Sequence, residues 1–392
     1  MRRLRVTFVA PFGLCRRGTT RARVIPLAEA LAARGHEVRV VVPDWDYSPG
    51  VPRRYRVGAA GIWHLTSPDA PRQLISVQLL REAYRGALAG RPDVIHCFKP
   101  IGYSGLVTLL LARLGRRAGW RGLLAVDTDD LEGREGWATR SGRPEWQVRL
   151  LDWQERAVLR SADIVTAASA DLSRRVHALR PWDRAPAYVP NGVTPYEPRG
   201  EPRVGPGASG AASLLLYTRF NEFAPRRGAA IVAAILSRVP RTRLVVVGDG
   251  PAAATGSFFR ELERRGLGAR VTRCGLLTGE ALAQILELDS VALWLFDDNA
   301  INRARSPAKL LELLAHGRAV VAEGVGEVPR LAGRAARVVA AGDGPTLVAC
   351  TVDLLQKREE RCRQADQARE AVGREAGWAD RAACVETAYF YT

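Results

Sequence analysis

Short apolar segments alternate with amphipathic segments along this chain, and the alternation occurs twice, on either side of residues 194–212. That stretch, TPYEPRGEPRVGPGASGAA, is rich in proline and glycine and is typical of a linker. Repeated alternation of strand and helix patterns predicts a parallel sheet covered by helices. A chain of 392 residues also exceeds what one hydrophobic core usually supports. The sequence therefore predicts two doubly wound α/β domains, residues 1–193 and 213–375, with a C-terminal helix within 376–392 that crosses back onto the first.

The predicted strands are shared between the two halves. Those of the first half are Arg5–Ala10, Glu37–Pro43, Asp93–Phe98, Leu123–Asp127, Asp163–Ala167 and Ala187–Pro190. Those of the second half are Leu214–Tyr217, Leu244–Val247, Val271–Cys274, Val291–Phe296, Ala319–Glu323 and Val338–Ala340. Helices are predicted over Arg21–Ala33, ended by Gly35, and over Glu145–Arg160 and Trp378–Tyr391.

Composition is that of a soluble globular protein, with 47% hydrophobic and 25% charged residues. No apolar stretch is long enough to span a bilayer, and the N-terminus predicts a strand better than a signal peptide, so a cytoplasmic location is expected. The six cysteines have the spacing of neither a zinc site nor a disulfide framework.

The net charge of +17 favours phosphorylated substrates or an anionic membrane surface over nucleic acid, because no nucleic-acid motif accompanies it. Residues 109–122 mix leucine, tryptophan and arginine, which predicts either a lipid-facing segment or a partly buried helix with a basic face.

Residues 302–317, NRARSPAKLLELLAHG, predict a helix whose opening turns carry a cation and a carboxylate. Ser306 suits the N-cap and Pro307 the first helical position. The exposed N–H groups of such a helix attract phosphate, and Lys309 adds a full positive charge beside them. Glu312 lies one turn further on and can accept from a ribose hydroxyl, although the two side chains could also form only a surface ion pair. Only three of the 58 Lys and Arg residues are lysine, which favours a specific use of this ammonium group.

A second candidate lies where the apolar segment RLVVV ends in Gly248-Asp249-Gly250. Open α/β sheets bind ligands at this edge, but a GxG after a strand is about as often only a tight turn. The position of this turn among four other segments of the chain supports a binding role. The ordered segments are LLLYTRF from Leu214, Arg226-Arg227-Gly228, the GDGP turn, Cys274-Gly275 and residues 302–317. In this order they resemble the C-terminal donor domain of GT-B glycosyltransferases.

The resemblance is to glycosyltransferase family 4 and extends over nearly the whole chain. In the first half it rests on a glycine-bearing loop at Gly18, GHEV at 35–38, PDVIH at 92–96, SAD at 161–163 and VPNGV at 189–193. It implies the GT-B fold, with two Rossmann-like domains facing each other across a cleft. It also implies a retaining transferase that moves a sugar from a nucleotide-diphosphate sugar to a glycan, glycolipid or lipid-linked acceptor, without a metal or other cofactor.

The resemblance also implies roles for individual residues. Arg219, Arg227 and Lys309 would reach the donor diphosphate, Glu312 would bind the ribose, and the Gly18 backbone would approach the phosphates. The implied donor-binding set is Gly18, Arg219, Arg227, Gly248, Gly250, Ser306, Lys309 and Glu312, and the implied catalytic set is Asp129, Arg219 and Lys309. Asp129 stands where many relatives carry histidine, and would either orient the donor sugar or acceptor hydroxyl or only solvate its loop. Ala304 replaces an earlier glutamate of many relatives.

Three alternatives stay open. Asp127-x-Asp129 also resembles the DxD manganese site of GT-A transferases, which would not explain the second domain. A sugar-nucleotide 2-epimerase shares the GT-B architecture. A catalytically inactive protein that binds nucleotide sugar or a membrane surface is favoured by Ala304. For a transferase, the loops at 45–75 and 132–146 are expected to select the acceptor, and peripheral association with the inner face of the plasma membrane is expected if the acceptor is lipid-linked.

Overall fold

A computed structural model describes residues 2–14, 18–44, 53–66, 72–115, 117, 119–196 and 211–391. The chain divides into two compact units. The first comprises Met1–Gly192, Ala304–Ser306 and Trp378–Thr392, and the second comprises Val193–Arg303 and Pro307–Gly377. Residues 197–210 of the expected linker lie outside the described part of the chain, as do residues 45–52 and 67–71 of the loop expected to select the acceptor.

The first unit is built on an 8-stranded sheet. Its strands are β1 (Arg5–Val9), β2 (Glu37–Asp44), β3 (Arg54–Val57), β4 (Ala60–Thr66), β5 (Val94–Phe98), β6 (Leu123–Thr128), β7 (Ile164–Ala167) and β8 (Ala187–Tyr188). The strand order is β3-β4-β2-β1-β5-β6-β7-β8, and neighbours are parallel except β3 with β4. Apolar side chains are buried on both faces, as parallel sheets require: Phe8 packs in one core cluster and Val9 in another.

The second unit contains a 6-stranded sheet of parallel strands. They are β9 (Ser213–Tyr217), β10 (Leu244–Val247), β11 (Val271–Gly275), β12 (Ser290–Trp294), β13 (Ala319–Glu323) and β14 (Arg337–Val339), in the order β11-β10-β9-β12-β13-β14. The strands β9, β10, β12 and β13 are almost continuous apolar runs, because helices cover both faces of the sheet.

Helices connect and cover the strands. In the first unit they are α1 (Ile25–Ala33), α2 (Arg72–Leu88), α3 (Gly102–Leu110), α4 (Trp137–Arg140), α5 (Glu145–Ser161), α6 (Ala170–Leu179) and, at the C-terminus, α15 (Trp378–Phe390). In the second unit they are α7 (Pro225–Arg238), α8 (Ala252–Arg264), α9 (Gly279–Leu286), α11 (Ala308–Ala315), α12 (Val328–Ala332), α13 (Gly344–Gln356) and α14 (Arg358–Glu375); α10 (Ala300–Ala304) ends at the unit boundary. Within the described part of the chain, every helix is too short or too polar to cross a bilayer.

Each predicted strand is present within one or two residues of its predicted bounds. The hairpin β3–β4 was not predicted, since β3 is a half-exposed edge strand without an apolar run. The predicted helix Arg21–Ala33 instead opens with a π-helical turn, Thr20–Val24, before α1. Pro26 has no N–H to donate to the carbonyl four residues earlier, and the Ile25 N–H reaches back five residues to Thr20. Gly35 ends the helix with a φ of 95°, as expected of a glycine in that position.

Candidate active site

The strand order reverses once in each sheet, and open α/β sheets bind ligands beside such a reversal, at the carboxyl ends of the strands. The reversals lie between β1 and β5 in the first unit and between β9 and β12 in the second. We call Gly18, Arg23, Lys99 and Asp127–Glu132 the first carboxyl edge. The second carboxyl edge comprises Tyr217–Arg219, Gly248–Gly250 and the opening turns of α11.

Two glycines of the second carboxyl edge make room for the loop that carries Arg219. A Cβ atom at Gly248, which has a φ of 109°, would lie 1.9 Å from the Thr218 carbonyl oxygen. A Cβ atom at Gly250 would lie 1.9 Å from the Arg219 carbonyl oxygen. The Glu222 carboxylate ties the same loop down by accepting from Thr218 Oγ1 at 2.9 Å and from the Arg219 N–H at 3.1 Å. Any larger residue would push the two loops apart, so the glycines hold the exposed Arg219 in place at the strand ends.

Tyr217 joins the two charged residues of α11. The Lys309 ammonium lies 4.5 Å from the centre of the Tyr217 ring, a cation–π contact. The Tyr217 hydroxyl donates to the Glu312 carboxylate. Burial raises the pKa of Glu312 although Tyr217, Lys309 and Arg219 all favour its charged form. Glu312 Oε2 is buried and has no hydrogen-bond partner among the described residues, so this carboxylate retains an acceptor that a ligand can use.

The helix that carries Lys309 begins later than its sequence predicts. α11 begins at Ala308, and Pro307 lies before it with a ψ of 92°. Ser306 is therefore not the N-cap, and its side chain does not bond to the helix. Instead Ser306 Oγ accepts from the Asn191 N–H at 2.8 Å, and the Asn191 side chain donates to the Ser306 carbonyl oxygen at 2.6 Å, both within the first unit. The competing hydrogen bonds from Asn191 explain why the capping prediction was wrong.

Arg227 is held in an ion-pair network at the start of α7. Its guanidinium donates to both carboxylate oxygens of the buried Glu323, at 2.7 and 2.9 Å, and to Asp297 at 2.8 Å. Asn302 is buried, and its amide donates to the carbonyl oxygens of Glu222 and Asp297. The side chains of Arg227 and Asn302 thus hold the loops after β9 and β12.

At the first carboxyl edge, Asp127 is fully engaged by its neighbours. Arg23 binds both of its carboxylate oxygens, at 2.8 and 2.6 Å, and Thr166 Oγ1 donates to it at 2.6 Å. Burial raises the pKa of Asp127, but the charge and hydrogen bonds of Arg23 outweigh burial and hold that pKa below its ordinary value. His96 next to it is buried and neutral, because burial lowers its pKa to about 4.

A lysine occupies the centre of the remaining acidic cluster. Lys99 Nζ lies 3.0 Å from Asp129, 2.8 Å from Asp130 and 2.5 Å from Glu132. Carboxylate oxygens of these three residues lie within 4.8 Å of one another, as metal ligands would. The ammonium group takes the place that a cation would occupy, and with Asp127 bound to Arg23 the DxD pair does not fit a metal site.

Asp129 is the member of this cluster with the most perturbed carboxyl group. Burial raises its pKa to about 6 in spite of the neighbouring Lys99 charge. A carboxyl group with this pKa exchanges its proton near neutral pH.

Gly18 lies in the first unit too, and its carbonyl oxygen accepts from the Ala22 N–H at 2.7 Å at the start of the π-helical turn.

Two family models match this chain. Residues 18–192 match a glycosyl transferase 4-like domain, and residues 215–357 match glycosyl transferases group 1. The chain is a glycosyltransferase, because the two models together cover most of its length. It is therefore a transferase enzyme, and the family predicted from its motifs is confirmed. The glycosyltransferase matches none of the curated protein sequences with which it was compared.

Solved structures establish the fold of the glycosyltransferase as GT-B, as predicted. Sucrose-phosphate synthase from Thermosynechococcus elongatus superposes with a TM-score of 0.66 at 20% identity, over 98% of each chain. HepE from Anabaena, solved with UDP and glucose, gives 0.66 at 14% identity over 99% of this chain and 100% of its own. The catalytic domain of Starch Synthase IV from Arabidopsis thaliana, bound to ADP and acarbose, gives 0.69 at 13% identity over 99% of both.

Three residues at the edges of this glycosyltransferase were not assigned a role from sequence. Lys99 gave one signal, since it is one of three lysines and follows a predicted strand. Tyr217 ends a predicted strand two residues before Arg219, which could have marked it. Arg23 gave no signal in the sequence. An arginine in an amphipathic helix is usually interpreted as a surface residue, and its partner Asp127 lies 104 residues away in the sequence.

Proposed function

We propose that this glycosyltransferase moves a sugar from a nucleoside-diphosphate sugar to a glycan, glycolipid or lipid-linked acceptor, with retention at the anomeric carbon. The observation that carries the proposal is the arrangement of Arg219, Lys309 and Glu312 around Tyr217 at the second carboxyl edge. HepE was solved in complex with UDP and Starch Synthase IV with ADP, which supports a nucleoside diphosphate here.

In the proposed reaction the bond between the anomeric carbon and the diphosphate breaks while the acceptor oxygen bonds to that carbon from the same face. The acceptor proton passes to the leaving diphosphate. Lys309 and Arg219 stabilise the charge that develops on that group, as fixed cations do in other transferases. Glu312 Oε2 accepts from the ribose. Gly248 and Gly250 keep Arg219 in position, the Gly18 backbone approaches the phosphates, and Arg227 shares its guanidinium between the diphosphate and its two carboxylates.

We propose that the reaction needs no metal. Among the described residues, Lys99 already occupies the centre of the one group of three carboxylates close enough together to bind a cation. Asp129, with its pKa near 6, is proposed to orient the acceptor hydroxyl. A cytoplasmic enzyme that meets lipid-linked acceptors at the inner face of the plasma membrane agrees with the net charge of +17.

The test is release of nucleoside diphosphate from UDP-, GDP-, ADP- and TDP-sugars in the presence of EDTA, with and without bacterial membrane lipids. Release from one donor that increases with the lipids is expected. Conversion of the donor to its 2-epimer without acceptor would replace the proposal with an epimerase. Thermal stabilisation by nucleotide without turnover would leave only a binding function.

The role of Asp129 has a separate test. Asp129→Asn is expected to lower kcat by about tenfold or more, because a neutral amide oxygen holds the acceptor hydroxyl less firmly than a carboxylate oxygen does. A fully active variant would remove Asp129 from the site and leave the donor assignment untouched.

A further inference from the structure

The solvent face of α5 carries large apolar side chains that the fold does not bury. Trp146, Leu150 and Trp153 are 64, 52 and 52% exposed. Their spacing of four and three residues places them on one side of the helix, in a stripe about 10 Å long. Single exposed apolar residues need no explanation, but three in register on one helix form a patch of the kind that marks a binding surface.

The charges of α5 are segregated between its two faces. Arg149, Arg156 and Arg160 are exposed beside the apolar stripe. The acidic residues Asp152 and Glu155 instead accept from the backbone of residues 132–134. Glu145 is the one acidic residue exposed on α5, and Arg134 and Arg149 neutralise it. The outward face is therefore both apolar and positively charged.

We propose that this outward face of α5, defined by Trp146, Arg149, Leu150, Trp153, Arg156 and Arg160, binds the surface of an anionic lipid bilayer. Tryptophan and arginine on one face are the combination that seats a helix in the interfacial layer, with rings among the acyl chains and guanidinium groups on lipid phosphates. An acidic protein would attract the arginines as well, but the two exposed indoles a full two turns apart suit a deformable lipid interface better than a fixed pocket.

The surface is well placed for the acceptor. The opposite face of α5 binds the loop whose Glu132 contacts Lys99, so the surface and the first carboxyl edge are separated by roughly one helix diameter, about 10 Å. A lipid tail in the bilayer could thus deliver its head group to that edge. The delivery of a head group to that edge rests on the proposed function, whereas the membrane contact itself does not.

The experiment is co-sedimentation of the full chain with vesicles of equal parts phosphatidylglycerol and phosphatidylcholine, and with vesicles of phosphatidylcholine alone. Wild type is compared with Trp146→Ser/Trp153→Ser, Arg156→Ala/Arg160→Ala and the control Trp182→Ser, whose indole is 73% exposed elsewhere in the first unit. We expect binding to the anionic vesicles only, weakened about tenfold or more by the tryptophan pair and about fivefold per arginine. The control is expected to bind like wild type.

Equal binding by wild type and the tryptophan pair, or no wild-type binding at all, would overturn the proposal. A wild-type dimer in sedimentation velocity that the tryptophan pair converts to monomer would assign the face to a second copy of the chain instead. Nucleoside diphosphate release is measured on the same protein variants with the UDP-, GDP-, ADP- and TDP-sugars and the bacterial membrane lipids of the earlier test. Vesicle binding without release would refute the proposed function alone, and release without vesicle binding would refute the membrane surface alone.

Discussion

The two carboxyl edges of this glycosyltransferase use buried charge in opposite ways. At the first edge, Arg23 and Lys99 are buried and saturated by carboxylates of the same unit. At the second edge, Arg219 is exposed and Glu312 keeps a buried oxygen without a partner among the described residues. Both buried cations of the first edge thus have their counter-charges within the same unit, whereas the Arg219 cation of the second edge is exposed.

The difference separates stability from ligand binding. A buried charge that loses its partner destabilises the fold strongly, because it stays desolvated without compensation. A charge kept for a ligand contributes little to folding and much to the bound state. Substitutions that break the buried Arg23–Asp127 pair of the first edge should therefore unfold the protein, and those of Lys309 at the second should inactivate a folded protein.

The largest expected effect is at the first edge. Arg23→Met leaves Asp127 buried without its cation, and we expect the free energy of unfolding to fall by about 3–5 kcal/mol in urea denaturation at neutral pH. Adding Asp127→Asn should recover a substantial part of that loss, since it removes the unpaired charge.

The matched control is Arg174→Met, whose side chain is 78% exposed and pairs with Asp171 on α6. It should change the unfolding free energy by less than about 1 kcal/mol. An Arg23 variant as stable as this control would show that the first edge is not a structural ion-pair site.

At the second edge, Lys309→Ala should lower kcat/KM for donor about 100- to 1000-fold, because it removes a cation from the leaving diphosphate. The melting temperature should stay near that of wild type. Lys357→Ala is the control, since its ammonium is exposed and pairs only with Asp353 among the described residues. A fully active Lys309→Ala variant would show that the second edge does not use Lys309 to bind the donor.

The sequence was sufficient for the sheets because their strands are local apolar runs. Leu214–Tyr217 and Leu244–Val247 need no knowledge of their neighbours to be recognised. It was insufficient for β3, whose alternating arginines resemble a polar loop until β4 pairs with it. Position in the sheet, rather than propensity, made β3 a strand.

The site shows the same division. Lys309 and Glu312 share one short helix, so their proximity to each other is local and was predicted. The N-cap at Ser306 failed because Asn191, 115 residues away, competes for the serine. The cluster at Lys99 and the pair of Arg23 with Asp127 depend on long-range contacts, which no pattern in a single sequence reports.

A pH effect is also expected from Glu155 on α5, which accepts from the backbone N–H groups of Glu132 and Gly133 and whose pKa burial raises to about 7. Between its ordinary value near 4.5 and 7 the folded state holds a proton that the unfolded state does not, so stability falls as pH rises through this window. Glu155→Gln should remove this contribution, which amounts to about 3 kcal/mol of unfolding free energy across the window.

Urea denaturation between pH 4.5 and 8 measures that slope. Glu145→Gln on the same helix is the control, because hydrogen bonds from Arg134 and Arg149 lower the pKa of Glu145 below this window. An identical slope in wild type and Glu155→Gln would show that Glu155 stays ionised and that its two backbone hydrogen bonds outweigh burial.

The smallest effect is expected from Tyr217→Phe, which keeps the ring beneath Lys309 and removes the hydroxyl bound to Glu312. A less firmly held carboxylate should raise the donor KM about fivefold while kcat stays near wild type, because ribose binding is shared by the ground and transition states. Tyr217→Leu also removes the cation–π contact and should lower kcat as well. Tyr391→Phe is the control, because Tyr391 is 70% exposed in the first unit. Unchanged kinetics in both Tyr217 variants would mean that Lys309 and Glu312 are positioned without it, and that the second edge is as self-contained as the first.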